Sequence, residues 1–186
     1  MELDVKGKAP RRAAPRPALR QARKERPFNI EDFYGGMIKT SGFPTDMIRG
    51  VYRIDPAMRI RIIKRGVSPY VFTSLARWMD RSKEDLGKTL GLSVTTIDRK
   101  AKLGEKLSAE QGERVVGMAK LIGQVQAMVD ESGEPDGFDA AQWVAGWLDT
   151  PVPALGGDRP AEYMDTAEGR ELVSRLLAMM QSGAYA

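Results

Sequence analysis

The residues of this 186-residue chain best arranged for chemistry run from Asp85 to Arg99, Asp-Leu-Gly-Lys-Thr-Leu-Gly-Leu-Ser-Val-Thr-Thr-Ile-Asp-Arg. Gly87 is small enough to sit where two helices cross closely. Gly91, four residues on, suits a tight turn whose backbone a Cβ would penalise. Leu86, Leu90, Leu92 and Ile97 would lock the pair together, and the second helix would present Ser93, Thr95, Thr96, Arg99, Lys100 and Lys102 outward. Hydroxyls and N–H groups at a helix start hold phosphate, and an arginine reaches guanine edges in the major groove. The spacing therefore predicts a helix-turn-helix facing operator DNA. The competing reading is a structural helix pair with a basic outer side, retained as a dimer scaffold.

Two other patterns fail on inspection. Gly87-Lys88-Thr89 ends like a phosphate-binding loop, but Ser82 stands where the first glycine belongs, and no strand precedes it. The acidic stretch Asp130 to Asp139 invites calcium. Counted from Asp130, the glycine position is Pro135; counted from Ser132, the bidentate glutamate position is Trp143. A solvated charged loop is the better reading.

The last third carries an ordered set: Trp147-Leu148, Pro151, Ala154-Leu155-Gly156-Gly157, Pro160, Thr166, Gly169, Val173, Leu176-Leu177 and Ser182-Gly183-Ala184-Tyr185-Ala186. This order resembles the toxin-binding domain of the Xre/MbcA/ParS antitoxin family. The likeness extends back through Arg114-Val115 and Leu107-Ser108 to the helix-turn-helix and Ile63-Lys64-Arg65-Gly66, covering about 57–186. Tyr163-Met164 departs from the leucines usual there, and Val144 from the usual alanine; both concern packing size.

The resemblance implies an antitoxin rather than an enzyme, with no cofactor. Its partner would be a RES-type toxin resembling ADP-ribosyltransferases that act on NAD, and its N-terminal Xre-like domain would bind the operon's promoter. The toxin face carried onto this sequence includes Leu155, Gly156, Gly157, Asp158, Arg159 and Pro160, then Met179 and Ser182, Gly183, Ala184, Tyr185 and Ala186. The residues suit that role. Gly183 lets a chain leave its helix at an angle, and Tyr185 offers a flat anchor with a polar tip. A terminal carboxylate could mimic a dinucleotide phosphate. Trp143 and Trp147, four apart, read more readily as helix-packing residues than as toxin anchors.

These surfaces require helices to hold them. Asp55-Pro56, Ser68-Pro69, Ser82 and Ser93 are helix starts, and Ser108 with Gln111 makes a capping box. Met58, Ile62 and Ile63 predict one buried face, although Met58, Ile60 and Ile62 also alternate like a strand. Val71, Phe72, Leu75 and Met79 recur at helical spacing, as do Val115, Met118, Ile122, Val125 and Val129. Residues 131–138 read as a polar loop and Asp139 as the next cap. Thr166 opens a last helix expected to bury Leu172, Val173, Leu176, Leu177 and Met180. No segment has a convincing strand pattern, so the fold class is all-α. The expected organisation is a basic tail over 1–27, a connector over 28–54, the helix-turn-helix region over 55–106 and a helical toxin-binding domain over 107–186.

Composition agrees with a binding protein. Histidine and cysteine are absent, which excludes Ser-His-Asp and Cys-His nucleophiles, Cys/His zinc sites and disulfides. The apolar run near Val115–Val129 is interrupted by Lys120 and Gln124, too short for a membrane span. A cytoplasmic protein is expected. The net charge of +4 hides a strong asymmetry: +6 over 1–27, −1 over 28–56, +7 over 57–106 and −8 over 107–186. A basic half joined to an acidic half suggests two different partners. A homodimer is expected because operator half-sites are read by two-fold dimers. The alternative is a transcription regulator without a toxin, its C-terminal half serving dimerisation.

Overall fold

The computed structural model describes residues 45–133 and 137–181. The predicted tail over 1–27 and the residues Ser182 to Ala186 lie outside them. Among the described residues the fold is all-α, as expected: α1 (Thr45–Arg53), α2 (Pro56–Arg65), α3 (Pro69–Trp78), α4 (Lys83–Leu90), α5 (Val94–Leu103), α6 (Ala109–Ser132), α7 (Ala140–Leu148) and α8 (Ala167–Gln181). Short 3-10 turns at Pro153–Leu155 and Pro160–Tyr163 connect α7 to α8.

The helices begin where the capping residues stand. Asp55 Oδ1 accepts from the N–H groups of Ala57 and Met58, and Pro56 occupies the first position. Ser68, Ser82 and Ser93 each accept from an N–H two or three residues on. At α6 both halves of the capping box form, Gln111 N–H to Ser108 Oγ at 3.2 Å and Ser108 N–H to Gln111 Oε1 at 3.1 Å.

α6 is the spine. Its 24 residues span about 36 Å, and Val115, Val116, Met118, Ala119, Leu121, Ile122 and Val125 are all buried. α2, α3, α7 and α8 pack around it. α8 runs parallel to α6, since Arg170, Ser174 and Gln181 meet Glu113, Gln124 and Glu131 in order. α7 returns along α6 so that its end reaches Arg81, whose guanidinium donates to Ala145 O at 2.7 Å and contacts the Asp149 carboxylate. One core joins Phe72, Leu75, Leu90 and Ile97 to Ile122, Val144, Met164 and Leu177.

Three expectations are corrected. The stretch 28–54 was expected to be a connector, yet Thr45–Arg53 is a helix with Ile48 and Val51 buried against α6. It crosses so closely that a Cβ on Gly123 would lie 2.3 Å from Ile48 O. A nine-residue helix is marginal alone and forms through docking, which periodicity does not register. On α2 only Ile62 is fully buried and Met58 is exposed, because the helix offers α6 a narrow stripe. On α8, Val173, Leu176 and Leu177 are buried but Met180 is exposed, because it lies one turn beyond the last residues packed against it.

Candidate functional site

The helix-turn-helix is α4, the turn 91–93, and α5. A Cβ on Gly87 would approach Leu92 O and Val94 Cγ2 to 2.9 Å each, so only glycine allows this crossing. Gly91 adopts φ 61°, and its turn is clamped from the spine: Arg114 Nη1 donates to Gly91 O at 2.8 Å and to Leu90 O at 3.2 Å, while its Nη2 holds Glu110. Leu86, Leu90 and Ile97 are buried beneath, and Leu92 is half-buried. Lys83 Nζ meets Asp98 Oδ1 at 2.6 Å and ties the start of α4 to α5.

The residues predicted to face DNA do so unequally. Ser93, Thr95, Arg99 and Lys102 are exposed. Ser93 Oγ caps α5, accepts from Thr96 N–H at 3.3 Å and pairs with the Thr96 hydroxyl at 3.2 Å. Arg99 lies 3.5 Å from the Glu105 carboxylate. Lys100 is the exception: its side chain is only 18% exposed, and its amine donates to Lys106 O at 3.0 Å. It closes the C-terminal end of α5 instead of pointing outward, because the chain reverses at Gly104 and brings that carbonyl back beneath it.

The second surface is built from α7, the 3-10 connection and α8. Leu155 belongs to a small buried cluster with Val152 and Leu176, so its predicted contact role is corrected to packing. Pro160 is likewise buried. Gly156, Gly157, Asp158 and Arg159 are exposed, both glycines having positive φ. Tyr163 Oη donates to Asp158 Oδ2 at 2.8 Å, and this bond holds the phenol above its ordinary value. Gly169 lets α8 start under the preceding turn, since a Cβ there would sit 1.9 Å from Tyr163 O. Thr166 Oγ1 caps it by accepting from Gly169 N–H at 3.0 Å. Met179 is exposed; Ser182, Gly183, Ala184, Tyr185 and Ala186 lie outside the described residues.

A groove of about 200 Å³ runs between α2, α6 and α8. Its charges are largely compensated internally: Arg170 meets Glu113 at 3.3 Å, Lys120 meets Glu171 at 3.9 Å, and Arg59 Nη2 donates to Tyr52 O and Ile54 O. Burial pushes both Arg59 and Arg170 below their ordinary values, against the pull of neighbouring carboxylates. These arginines join neighbouring elements of the fold.

The element that sequence reasoning missed is the aromatic face of α7. Trp143 and Trp147 stack with centroids 6.0 Å apart and planes at 9°, and Phe138 meets Trp143 at 6.4 Å. Trp143 is 37% exposed. The i, i+4 spacing showed that the pair shares a face but not that this face turns outward.

A helix-turn-helix is thus joined through one spine to a small helical domain that carries an aromatic face. Residues 58–120 match the antitoxin Xre-like helix-turn-helix domain, and residues 136–183 match the antitoxin Xre/MbcA/ParS C-terminal toxin-binding domain. Over 145 residues the chain is 43% identical to a Prs ADP-ribosylating antitoxin of Sphingobium sp. (strain YBL2), covering 78% of this chain and 91% of that protein. Over 123 residues it is 24% identical to an antitoxin Xre of Yersinia enterocolitica serotype O:8 / biotype 1B (strain NCTC 13174 / 8081), covering 66% and 78%. The chain belongs to the Xre/MbcA/ParS antitoxin family. It is an antitoxin of a toxin–antitoxin system. No helix among the described residues is long and apolar enough to cross a membrane.

Proposed function

We propose that this antitoxin neutralises a RES-type, NAD-utilising toxin by binding it and covering its active site with the C-terminal segment that follows Gln181. The system is of type II, protein against protein, and works in the cytoplasm. The supporting observation is the 43% identical relative whose name couples the antitoxin to ADP-ribosylation, together with the match of 136–183 to a toxin-binding domain. The exposure suits the reading: α8 ends at an exposed Gln181, and the turn of Gly156 to Arg159 is exposed as well. Co-expression tests it. A chain truncated after Gln181 is expected to lose protection against the toxin encoded beside it; full protection by that chain refutes occlusion.

The helix-turn-helix binds the operator of its own genes as a homodimer and represses them. Ser93, Thr95, Arg99 and Lys102 form the exposed set, within a region of net charge +7. In a gel shift with the upstream DNA, Arg99→Ala and Lys102→Ala should weaken binding and reduce its salt dependence. Unchanged binding across a salt series refutes the assignment. A regulator without a toxin is separated by co-purification, because only an antitoxin retains the neighbouring gene's product.

A further inference from the structure

Large apolar side chains exposed among the described residues fall into two groups. Met58, Ile60, Tyr70 and Leu103 are spread over α2, α3 and the end of α5, whereas Trp143, Met179 and Met180 belong to the C-terminal domain. The second group is continuous. Phe138 leans on Trp143, Trp143 stacks on Trp147, and Trp147 packs against the cluster of Val152, Leu155 and Leu176. Met179 and Met180 follow Leu176 by three and four residues, hence on the same helical stripe. The ridge is thus the ladder from Phe138 to Trp147, joined through Leu176 to the stripe that carries Met179 and Met180.

This ridge is not demanded by the core. Val144, Ala145 and Leu148 already bury the inner side of α7, so Trp143 adds a large ring on the outside. Stacked tryptophans are rigid, so little rotamer freedom is lost when a partner covers them. Tryptophan and methionine are enriched at the buried centres of protein interfaces, and tryptophan dominates their hot spots.

We propose that the Phe138–Trp143–Trp147 ladder with Met180 is the anchor by which the antitoxin grips its toxin, distinct from the chain end that blocks the active site. This rests on the toxin reading given above. The occupant is identified by position, since the toxin-binding match of 136–183 contains the whole ridge and the helix-turn-helix match of 58–120 contains none of it. The rim adds chemistry. Asp139 flanks Phe138, and Glu131 is held beside α8 by Gln181 at 3.2 Å. The toxin surface is thus an apolar cleft edged by lysine or arginine. Grip and occlusion are separable functions: removing the end after Gln181 leaves binding largely intact, while removing the anchor abolishes binding.

The test measures affinity of the full-length antitoxin for the purified toxin encoded beside it, by calorimetry or biolayer interferometry. Trp143→Ala should weaken binding by about 30-fold or more. Met180→Lys, which places a charge on the ridge without touching the core, should do likewise. Ile60→Ala, at a more exposed site on the other half, should change it less than about threefold. Thermal melts confirm that each variant is folded. Retained affinity in both ridge variants overturns the anchor and leaves the toxin reading standing, since the parent still binds. A parent chain that binds no toxin overturns both. Loss of a self-association seen in sedimentation, with toxin affinity unchanged, reassigns the ridge to contact between copies and overturns the proposal.

Discussion

Gly123→Ala is the sharpest perturbation of the fold. The new methyl would lie 2.3 Å from Ile48 O and 2.9 Å from Tyr52 Cβ, whereas carbon and carbonyl oxygen ordinarily stay about 3.3 Å or more apart. α1 must retreat by about an ångström. If it slides and stays docked, overpacking costs about 1–3 kcal/mol. If it lets go, Ile48 and Val51, now 0% and 2% exposed, return to water at about 1.5–3 kcal/mol each, an upper bound because unfolded chains bury some of this surface. Replacing a helical glycine by alanine offsets about 0.5–1 kcal/mol. The Arg49–Asp130 pair, 2.6 Å apart and about a fifth exposed, adds little once α1 moves. By urea unfolding the expected net loss is about 0–2.5 kcal/mol if α1 stays docked and about 2–5.5 kcal/mol if it lets go. Hydrogen exchange should show faster amides in Ile48–Arg53 and unchanged protection in α4 and α5. A variant as stable as the parent, with α1 amides still protected, would refute the account of α1 as a docked staple.

Gly146→Ala is the counterpart: nothing lies within 4 Å of its Cβ position, so the variant should be stabilised by about 0.5–1 kcal/mol in the same unfolding assay. Gln124 and Ser174 exchange two bonds between α6 and α8, Nε2 to the Ser174 carbonyl at 2.9 Å and the Ser174 hydroxyl to Oε1 at 2.6 Å. A double-mutant cycle with alanine should return a coupling of about 0.5–2 kcal/mol, and a value near zero would show the pair to be incidental. Tyr163 sits above the ordinary tyrosine value because it donates to Asp158. Its contribution is present below the unfolded tyrosine value and is lost as pH rises through the raised folded one. Tyrosinate absorbance should therefore show a late-titrating group that Tyr163→Phe removes.

Helix starts were legible because capping is local: Asp55, Ser68, Ser82, Ser93 and Ser108 act within three residues of themselves. Gly87 and Gly91 were legible for the same reason, each answering a constraint inside one turn. What escaped was decided across the chain. α1 has too few apolar residues to announce itself and exists because Gly123, some seventy residues on, leaves room for it. Lys100 looked like a DNA contact until the reversal at Gly104 placed the Lys106 carbonyl against its amine. Leu155 sat in a glycine-rich loop and read as surface, yet Leu176 of the last helix covers it. Trp143 shows the converse error, since spacing suggested packing and the fold turned it outward.

The two matched segments are joined in a way that constrains how they act together. The helix-turn-helix match ends at 120 and the toxin-binding match begins at 136, so α6, a single helix from Ala109 to Ser132, carries the chain through most of the interval between them. The boundary drawn at 106/107 falls inside the packing: Leu107 N–H donates to Val67 O at 2.8 Å, and Gly112 lies against the Val67 side chain. The contact is closest at the DNA-facing turn. A Cβ on Gly91 would meet Arg114 from α6 at 2.7 Å and Asp165 from the turn before α8 at 3.2 Å. The turn that aims α5 is thus built partly by the toxin-binding half, and the two proposed surfaces keep one relative orientation unless this packing breaks. Toxin binding would then alter operator affinity through added bulk and charge, or through how many antitoxins each toxin brings together. A hinge between the halves is not required, because the core offers none among the described residues.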